Sequence, residues 1–391
     1  MTKNKLNIAV FATASLPIPP FKGYGGTQRG VYDFVKNMNN KGHQIHLFGP
    51  GDSKVSDLEN VILHSYIETS LWTPENNFSI EKKSQESQRH YKESFRELTK
   101  LDTEEGLDIV NVRFDNVDIL RACKEMFGEK RVVYGLHNLK NQERIQSIRE
   151  LGIQCVAHCK NHREQYNSLS NIRTITYGID VPSFPFSNET ISETKNTPKL
   201  EILQKLKDKK EDYLMNLGAI GQHKGQRTCI KLAQETGYPL MIVGTPQDRK
   251  GAKKTRYFEE EILPRIDNDR ILYYGNADEE QKKELLGFAK GFLFPSGFED
   301  ITWEEPFGRA PVEALSCGTP VIAHRKGSMP EVILNGFNGY LFNTFEEGLD
   351  NIKSLEKISR KDCRRTAEKA FDSKRVADEY ENLFYEMIEK R

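Results

Sequence analysis

"WEEPFGRAPVEALSCGTPVIAHRKGSMPEVI", Trp303 to Ile333, reads as one helix running into one strand. Gly308 relaxes the backbone where the helix begins, leaving its first N–H groups open to an anion. Ala310, Val312, Ala314 and Leu315 then fall where they pack inward. Gly318 closes the helix and "TPVIA" returns as a strand, which is half of a parallel α/β unit. Two acids flank the helix start with seven residues between them, Glu305 before it and Glu313 within it. Each carboxylate is placed to accept hydrogen bonds from the hydroxyls of a polyol. A surface acid and a helix-face charge would also explain the helix, but not the Pro-Phe-Gly turn between the acids.

The same alternation extends outward in both directions. "LNIAVFA" (Leu6 to Ala12) is a buried strand, and "TQRGVYDFVKNMNNKGH" follows with Val31, Phe34, Val35 and Met38 at helical spacing up to a stop at Gly42. "QIHLFGP", "LDIVNVR", "RVVYGLH", "IQCVAHC" and "IRTITYG" continue as strands. From Asp180 to about Leu200 the chain turns polar and proline-rich without period, which predicts a linker. A second series then starts: "YLMNLGAI", "QRTCIKLAQETG", "PLMIVGT", "RILYYGN", "EEQKKELLGFAKG" and "GFLFPS". Two further helices are expected, Ser79 to Leu101 with Tyr91, Phe95 and Leu98 on one face, and a terminal one with Val376, Tyr380, Leu383, Phe384 and Met387 in register. The fold class is therefore α/β, with two doubly wound, Rossmann-like domains, 1–185 and 186–372, facing a central cleft, and a terminal helix in 373–391. Ligands of such sheets bind beyond the carboxyl ends of the strands.

Size and composition agree with this. A chain of 391 residues is too long for one comfortable core. Lys plus Arg and Asp plus Glu both total 57, so no overall charge excess points to nucleic acid or an anionic membrane. The apolar run at the start is short and breaks at a proline cluster, unlike a signal peptide or a membrane span. Six scattered cysteines without Cys-x-x-Cys spacing suit reduced thiols in the cytoplasm. Cys155, His158, Cys159 and His162 could be read as metal ligands, but a strand running into a helix explains them without zinc.

Three further motifs follow strands. In "GYGGTQRG", Gly23 to Gly30, the adjacent Gly25 and Gly26 before a helix let backbone N–H groups approach an anion, although a flexible turn is the plainer reading. A nicotinamide fingerprint fits poorly, because Gln28 stands where a third glycine is needed. His137 ends "RVVYGLH", where it is either structural or projects toward a ligand. In "LGAIGQHKGQ", Gly218 opens a loop whose Lys224 can reach a diphosphate that the following helix already attracts.

Together these residues resemble glycosyltransferase family 4, the retaining enzymes of GT-B fold. The signature is "EEPFGRAPVEALSCGTPVIAHRKGSMPEVI". The likeness extends in order to "GYGGTQRGVYDFVKNMNNKGHQIHLFGPGDS", the His137 strand end, "TYGID", "LGAIGQHKG" and "NGFNGYLF". It implies a hexosyltransferase, metal-independent and without cofactor, whose donor is a nucleoside-diphosphate sugar, UDP- or GDP-linked, and whose acceptor carries a hydroxyl. Glu305 would bind the donor sugar's hydroxyls, Glu313 the ribose, and backbone around Phe307, Gly308 and Arg309 the sugar and diphosphate. Lys224 would neutralise the diphosphate beside Gly218, His137 would line the sugar pocket, and Gly25 and Gly26 would close over phosphates and acceptor. The terminal helix would pack back on the first domain.

Two departures stand out. The family usually has Arg where this chain has Ala219, and losing that charge-assisted contact would cost roughly 1.5–3 kcal/mol unless Arg227, Arg309 or Arg29 replaces it. "GFEDIT", Gly297 to Thr302, is extra length beside the expected donor site. A catalytically silent sugar-nucleotide-binding protein, a sugar-nucleotide epimerase of similar architecture and a plain interaction protein are the alternatives.

Overall fold

A computed structural model describes residues 4–21, 25–73, 76–137, 141–246 and 256–390. The chain divides into two compact units, the first holding described residues up to 178 together with 373–390, the second holding 179–372. The first is built on seven strands: β1 Asn7–Phe11, β2 Gln44–Phe48, β3 Val61–His64, β4 Ile109–Val112, β5 Val132–Gly135, β6 Gln154–Ala157 and β7 Ile172–Thr174. All pair in parallel in the order β3-β2-β1-β4-β5-β6-β7, so the winding reverses between β1 and β4.

Alternation along β1 shows why these strands are apolar throughout. Ala9 and Phe11 join one core with Leu98, Leu120 and Ile148, while Ile8 and Val10 join another with Phe34, Met38 and Phe384. Both faces are covered by helices, the condition under which parallel strands lose a polar side. The second core is closed by helix Gly26–Asn40 and the terminal helix Ser373–Glu389, with Phe34 edge-on to Tyr380 at 5.2 Å between ring centres. Val376, Tyr380, Leu383, Phe384 and Met387 are all buried, as their spacing predicts.

The second unit holds β8 Leu214–Leu217, β9 Leu240–Val243, β10 Ile271–Gly275, β11 Gly291–Phe294, β12 Val321–His324 and β13 Gly339–Phe342, all parallel in the order β10-β9-β8-β11-β12-β13. Its winding reverses between β8 and β11. Helices Gln226–Thr236 and Phe345–Lys353 pack one face, where Ile230, Leu232 and Ile352 meet Leu214, Ile242 and Phe342. Helix Arg309–Ser316 packs against β11 and β12. No described helix is long and apolar enough to cross a membrane. All six cysteines are buried free thiols.

Several details depart from the sequence expectations. The units part between 178 and 179, not at 185/186. The polar segment 180–200 is no linker: Val181, Phe184, Ile191, Thr190 and Thr194 are buried within the second unit, and Ile191 N–H donates to Phe288 O at 3.1 Å. Its apolar anchors come singly, so no period announces them. Edge strand β3 is not anticipated, because its four residues are half exposed. In helix Arg309–Ser316, Val312, Ala314 and Leu315 are buried as expected, Ala310 is only half-buried, and Glu313 is buried as well.

Candidate functional site

The reversal between β8 and β11 brings two loops together at the carboxyl ends of the strands. Gly225 adopts φ +75°, and a Cβ there would lie 2.8 Å from Pro295 O, so glycine lets the loop after β8 close on the loop after β11. Fully buried Gln226 fixes that loop: its amide donates to Ala219 O at 2.9 Å and accepts Gly221 N–H at 3.2 Å. Lys224 is thereby held so that its Nζ donates to Glu305 Oε2 at 2.5 Å.

Glu305 is built in from several sides. Ser296 Oγ donates to the same Oε2 at 3.1 Å, and Trp303 Nε1 reaches Ser296 Oγ at 3.1 Å and Oε2 at 3.5 Å. The Lys224 ammonium lies 5.0 Å from the centre of the Trp303 ring. The Glu305 main chain is clamped by Ser328, whose N–H donates to Glu305 O at 3.0 Å. That approach requires Gly327, at φ +60°, where a Cβ would come 2.6 Å from the same oxygen. Ser328 Oγ also donates to Phe307 O at 2.6 Å. Burial pushes the Glu305 pKa up, but Lys224, Ser296 and Trp303 outweigh it and leave the carboxyl below its ordinary value. The product is a half-buried, fixed carboxylate beside a fixed ammonium, a pair that can serve hydroxyls and an anion at once.

Gly308 precedes helix Arg309–Ser316 at φ +85° and adjoins Glu305, whose Cγ lies 3.6 Å from a Cβ placed there. Gly218 stands at the end of β8 at φ +157°. Glu313 belongs to a different ion pair from Glu305: it meets Lys282 Nζ at 3.1 Å and Arg309 Nε at 3.8 Å. Of the cations that could stand in for the missing arginine, Arg227 lies 3.5 Å from Glu299 and 3.6 Å from Glu261. Ser296, Trp303, Ser328 and Lys282 were not singled out in the sequence. A tryptophan two residues before Glu305 is a signal for the first two, since its indole N–H reaches Ser296; Ser328 and Lys282 carry no such mark.

In the first unit, Gly25 precedes helix Gly26–Asn40 at φ +152°, and a Cβ there would come 2.3 Å from Pro20 Cγ, so this position demands glycine. Gly23 lies outside the described residues. His137, after β5, folds back over Gly135 and bonds through Nδ1 to the Tyr177 hydroxyl. Its ring centre is 5.3 Å from that of His158, and the Arg113 guanidinium lies 4.0 Å from the centre of the Phe34 ring and 4.6 Å from that of Tyr380. Burial, Arg113 and His162 lower the His137 pKa to about 3, so at neutral pH it offers hydrogen bonds and no charge. Cys159 accepts the His162 N–H at 3.2 Å as a helix cap, and no group of three or more His, Cys, Asp and Glu among the described residues is placed to hold a metal.

Residues 199–372 match the family of glycosyl transferases group 1. Spore coat protein SA of Bacillus subtilis strain 168 is 22% identical over 391 aligned positions, 95% of this chain and 97% of that protein. An uncharacterised glycosyltransferase of Methanocaldococcus jannaschii is 37% identical over 157 residues, 40% of this chain and 41% of its own. Among solved structures, Anabaena HepE in complex with UDP-glucose aligns with a TM-score of 0.70 at 17% identity, covering 99% of this chain and 100% of that one. Sucrose-phosphate synthase of Thermosynechococcus elongatus aligns at 0.73 and 15% identity with the same coverage, 99% and 100%. The two parallel-sheet units thus have the GT-B fold, and the match over 199–372 with GT-B glycosyltransferase neighbours supports a glycosyltransferase.

Proposed function

We propose that the chain is a retaining, family 4-like glycosyltransferase that moves a hexose from a nucleoside-diphosphate sugar, UDP- or GDP-linked, to a hydroxyl acceptor in the cytoplasm without a metal. The observation that carries this reading is the Lys224–Glu305 pair at the reversal of the second sheet, where ligands of doubly wound sheets bind. Glu305 accepts hydrogen bonds from the donor sugar, and Lys224 exchanges part of its contact with Glu305 for the diphosphate. Backbone of Phe307, Gly308 and Arg309, with Gly218, lines the sugar and diphosphate, and Glu313 takes the ribose once its bond to Lys282 is shared. Gly25 and Gly26 close over the phosphates and acceptor, and His137 hydrogen-bonds the sugar as a neutral imidazole.

With retention, the acceptor oxygen forms its bond to the anomeric carbon on the face from which the phosphate oxygen departs. The departing oxygen takes the acceptor's proton. Catalysis is then positioning and charge stabilisation, to which Lys224 and the helix start at Gly308 contribute. The Anabaena neighbour's complex with UDP-glucose supports a nucleotide-sugar donor. A silent nucleotide-sugar-binding protein is the second reading, favoured by Ala219 and by the carboxylates beside Arg227. Both readings are tested by melting with UDP, GDP, ADP and dTDP near millimolar, then by turnover of the matching sugar nucleotides. A ligand at a hundred times its Kd stabilises by about 2.7 kcal/mol. A shift with one nucleotide and transfer to a hydroxyl support the enzyme; a shift without transfer to any acceptor class supports the silent protein, and no shift removes both.

A further inference from the structure

Helix Gln226–Thr236 begins at the same sheet reversal as Lys224, and its first N–H groups would attract an anion. The chain answers them itself. Glu299, from the loop 297–302, accepts Thr228 N–H at 2.7 Å and Thr228 Oγ–H at 2.8 Å through Oε1. Its Oε2 accepts the Tyr257 hydroxyl at 3.2 Å, and Tyr257 Oη in turn accepts Arg227 N–H at 2.9 Å. The Glu299 side chain is only 4% exposed, and its Oε2 also lies 3.5 Å from Arg227 Nε. Glu261 flanks Arg227 at 3.6 Å on another side. A buried carboxylate with this many donors is an anion built into the site, held by charge-assisted hydrogen bonds.

Resting on the donor reading above, we infer that Glu299 is a positioning residue that sets donor affinity: a resident anion that withdraws Arg227 and the start of helix Gln226–Thr236 from the donor's diphosphate. The phosphates are then held by Lys224 from the neighbouring turn. Glu299 acts through Arg227 and touches no donor atom itself. Removing its charge while keeping its shape therefore releases a cation toward the phosphates, and nucleotide binding tightens. A purely structural residue would behave oppositely, since its loss loosens the site.

The test is calorimetric titration of the full chain with UDP and GDP. Arg227→Ala is expected to leave the Kd of the bound nucleotide within about twofold, and Lys224→Ala to weaken it at least about tenfold, the difference between a neutralised and an engaged cation. Glu299→Gln is expected to tighten binding at least about threefold, and the gain is expected to vanish in the Glu299→Gln, Arg227→Ala double variant. Weakening by Arg227→Ala on the scale of Lys224→Ala overturns the inference, even if Glu299→Gln fails to fold. A folded Glu299→Gln protein with unchanged or weaker binding overturns it as well. Absence of nucleotide binding in the wild-type chain strikes the donor reading itself and takes this inference with it, an outcome distinct from wild-type binding that Arg227→Ala diminishes.

Discussion

The two sheets share one winding, yet their carboxyl ends carry different chemistry. In the first unit His137, after β5, bonds Tyr177, after β7, and His158, after β6, donates through Nδ1 to Ile175 O at 3.2 Å, with buried Arg113, after β4, as the charge beside them. In the second, the loops after β8 and β11 hold an ammonium 2.5 Å from a carboxylate. The fold therefore supplies a place, and the residues decide which groups that place presents. A buried cluster of neutral imidazoles and a phenol beside Arg113 suits hydrogen bonding to a hydroxyl compound, whereas the ion pair suits a ligand with both anionic and hydroxyl parts.

The contrast is open to experiment because the two tryptophans fall one in each unit, Trp72 and Trp303. The largest expected effect is Phe384→Ala: this fully buried ring closes the first unit's core, and its loss is expected to cost about 3–5 kcal/mol. Urea unfolding followed through Trp72 would move to lower denaturant, and an equal loss followed through Trp303 would show that the units do not hold separate cores. Next is Glu305→Ala, expected to reduce transfer by about 10²–10³-fold while nucleoside diphosphate affinity stays within a few-fold, as for removal of one preorganised polar contact. A variant with normal turnover would refute the assignment of Glu305 to the donor sugar.

The third effect is acid sensitivity concentrated in the first unit, although burial also lowers His324 in the second. Burial holds His90 at about 4, burial with Arg113 and His162 holds His137 at about 3, and burial with its neighbours lowers His158 well below 6.5. Their unfolded values are near 6.5, so between that pH and the folded values the unfolded chain binds more protons. Stability contributed by the neutral forms is then lost as pH falls from about 6.5, by up to roughly 2 kcal/mol per group at pH 5. Glu305, lowered instead, contributes above its ordinary value and loses that contribution only at more acid pH. Unfolding midpoints at pH 7 and 5 check this, and a larger loss at Trp303 than at Trp72 contradicts it. The smallest effect is Trp303→Phe, which keeps the ring under Lys224 and removes the indole donor. The donor KM is expected to rise about fivefold, roughly 1 kcal/mol, with the protein's fold unchanged by circular dichroism.

Much of the fold was legible because buried parallel strands leave short apolar runs, and glycines such as Gly42, Gly308 and Gly318 mark helix ends. Segment 180–200 misled because Val181, Phe184 and Ile191 anchor it one at a time among prolines and serines. The candidate site was legible as chemistry but not as partnership. Lys224 and Glu305 each announced themselves beside glycines, yet they are 81 residues apart, and no local pattern pairs them. Glu313 likewise gave no sign that Lys282 would meet it, nor did the loop 297–302 reveal that Glu299 would cap a helix starting near 226.

The buried cysteines described with the fold have a use of their own. Cys123, Cys155 and Cys159 lie in the first unit, and Cys229, Cys317 and Cys363 in the second. Burial raises the pKa of Cys123, Cys155, Cys317 and Cys363 to about 12, so in the native protein these sulfurs are slow to react with alkylating reagents. Alkylation followed by intact mass thus counts opened units, three adducts for each. It reads unfolding without a dye, and it leaves an introduced surface cysteine as the fast-reacting handle for a label.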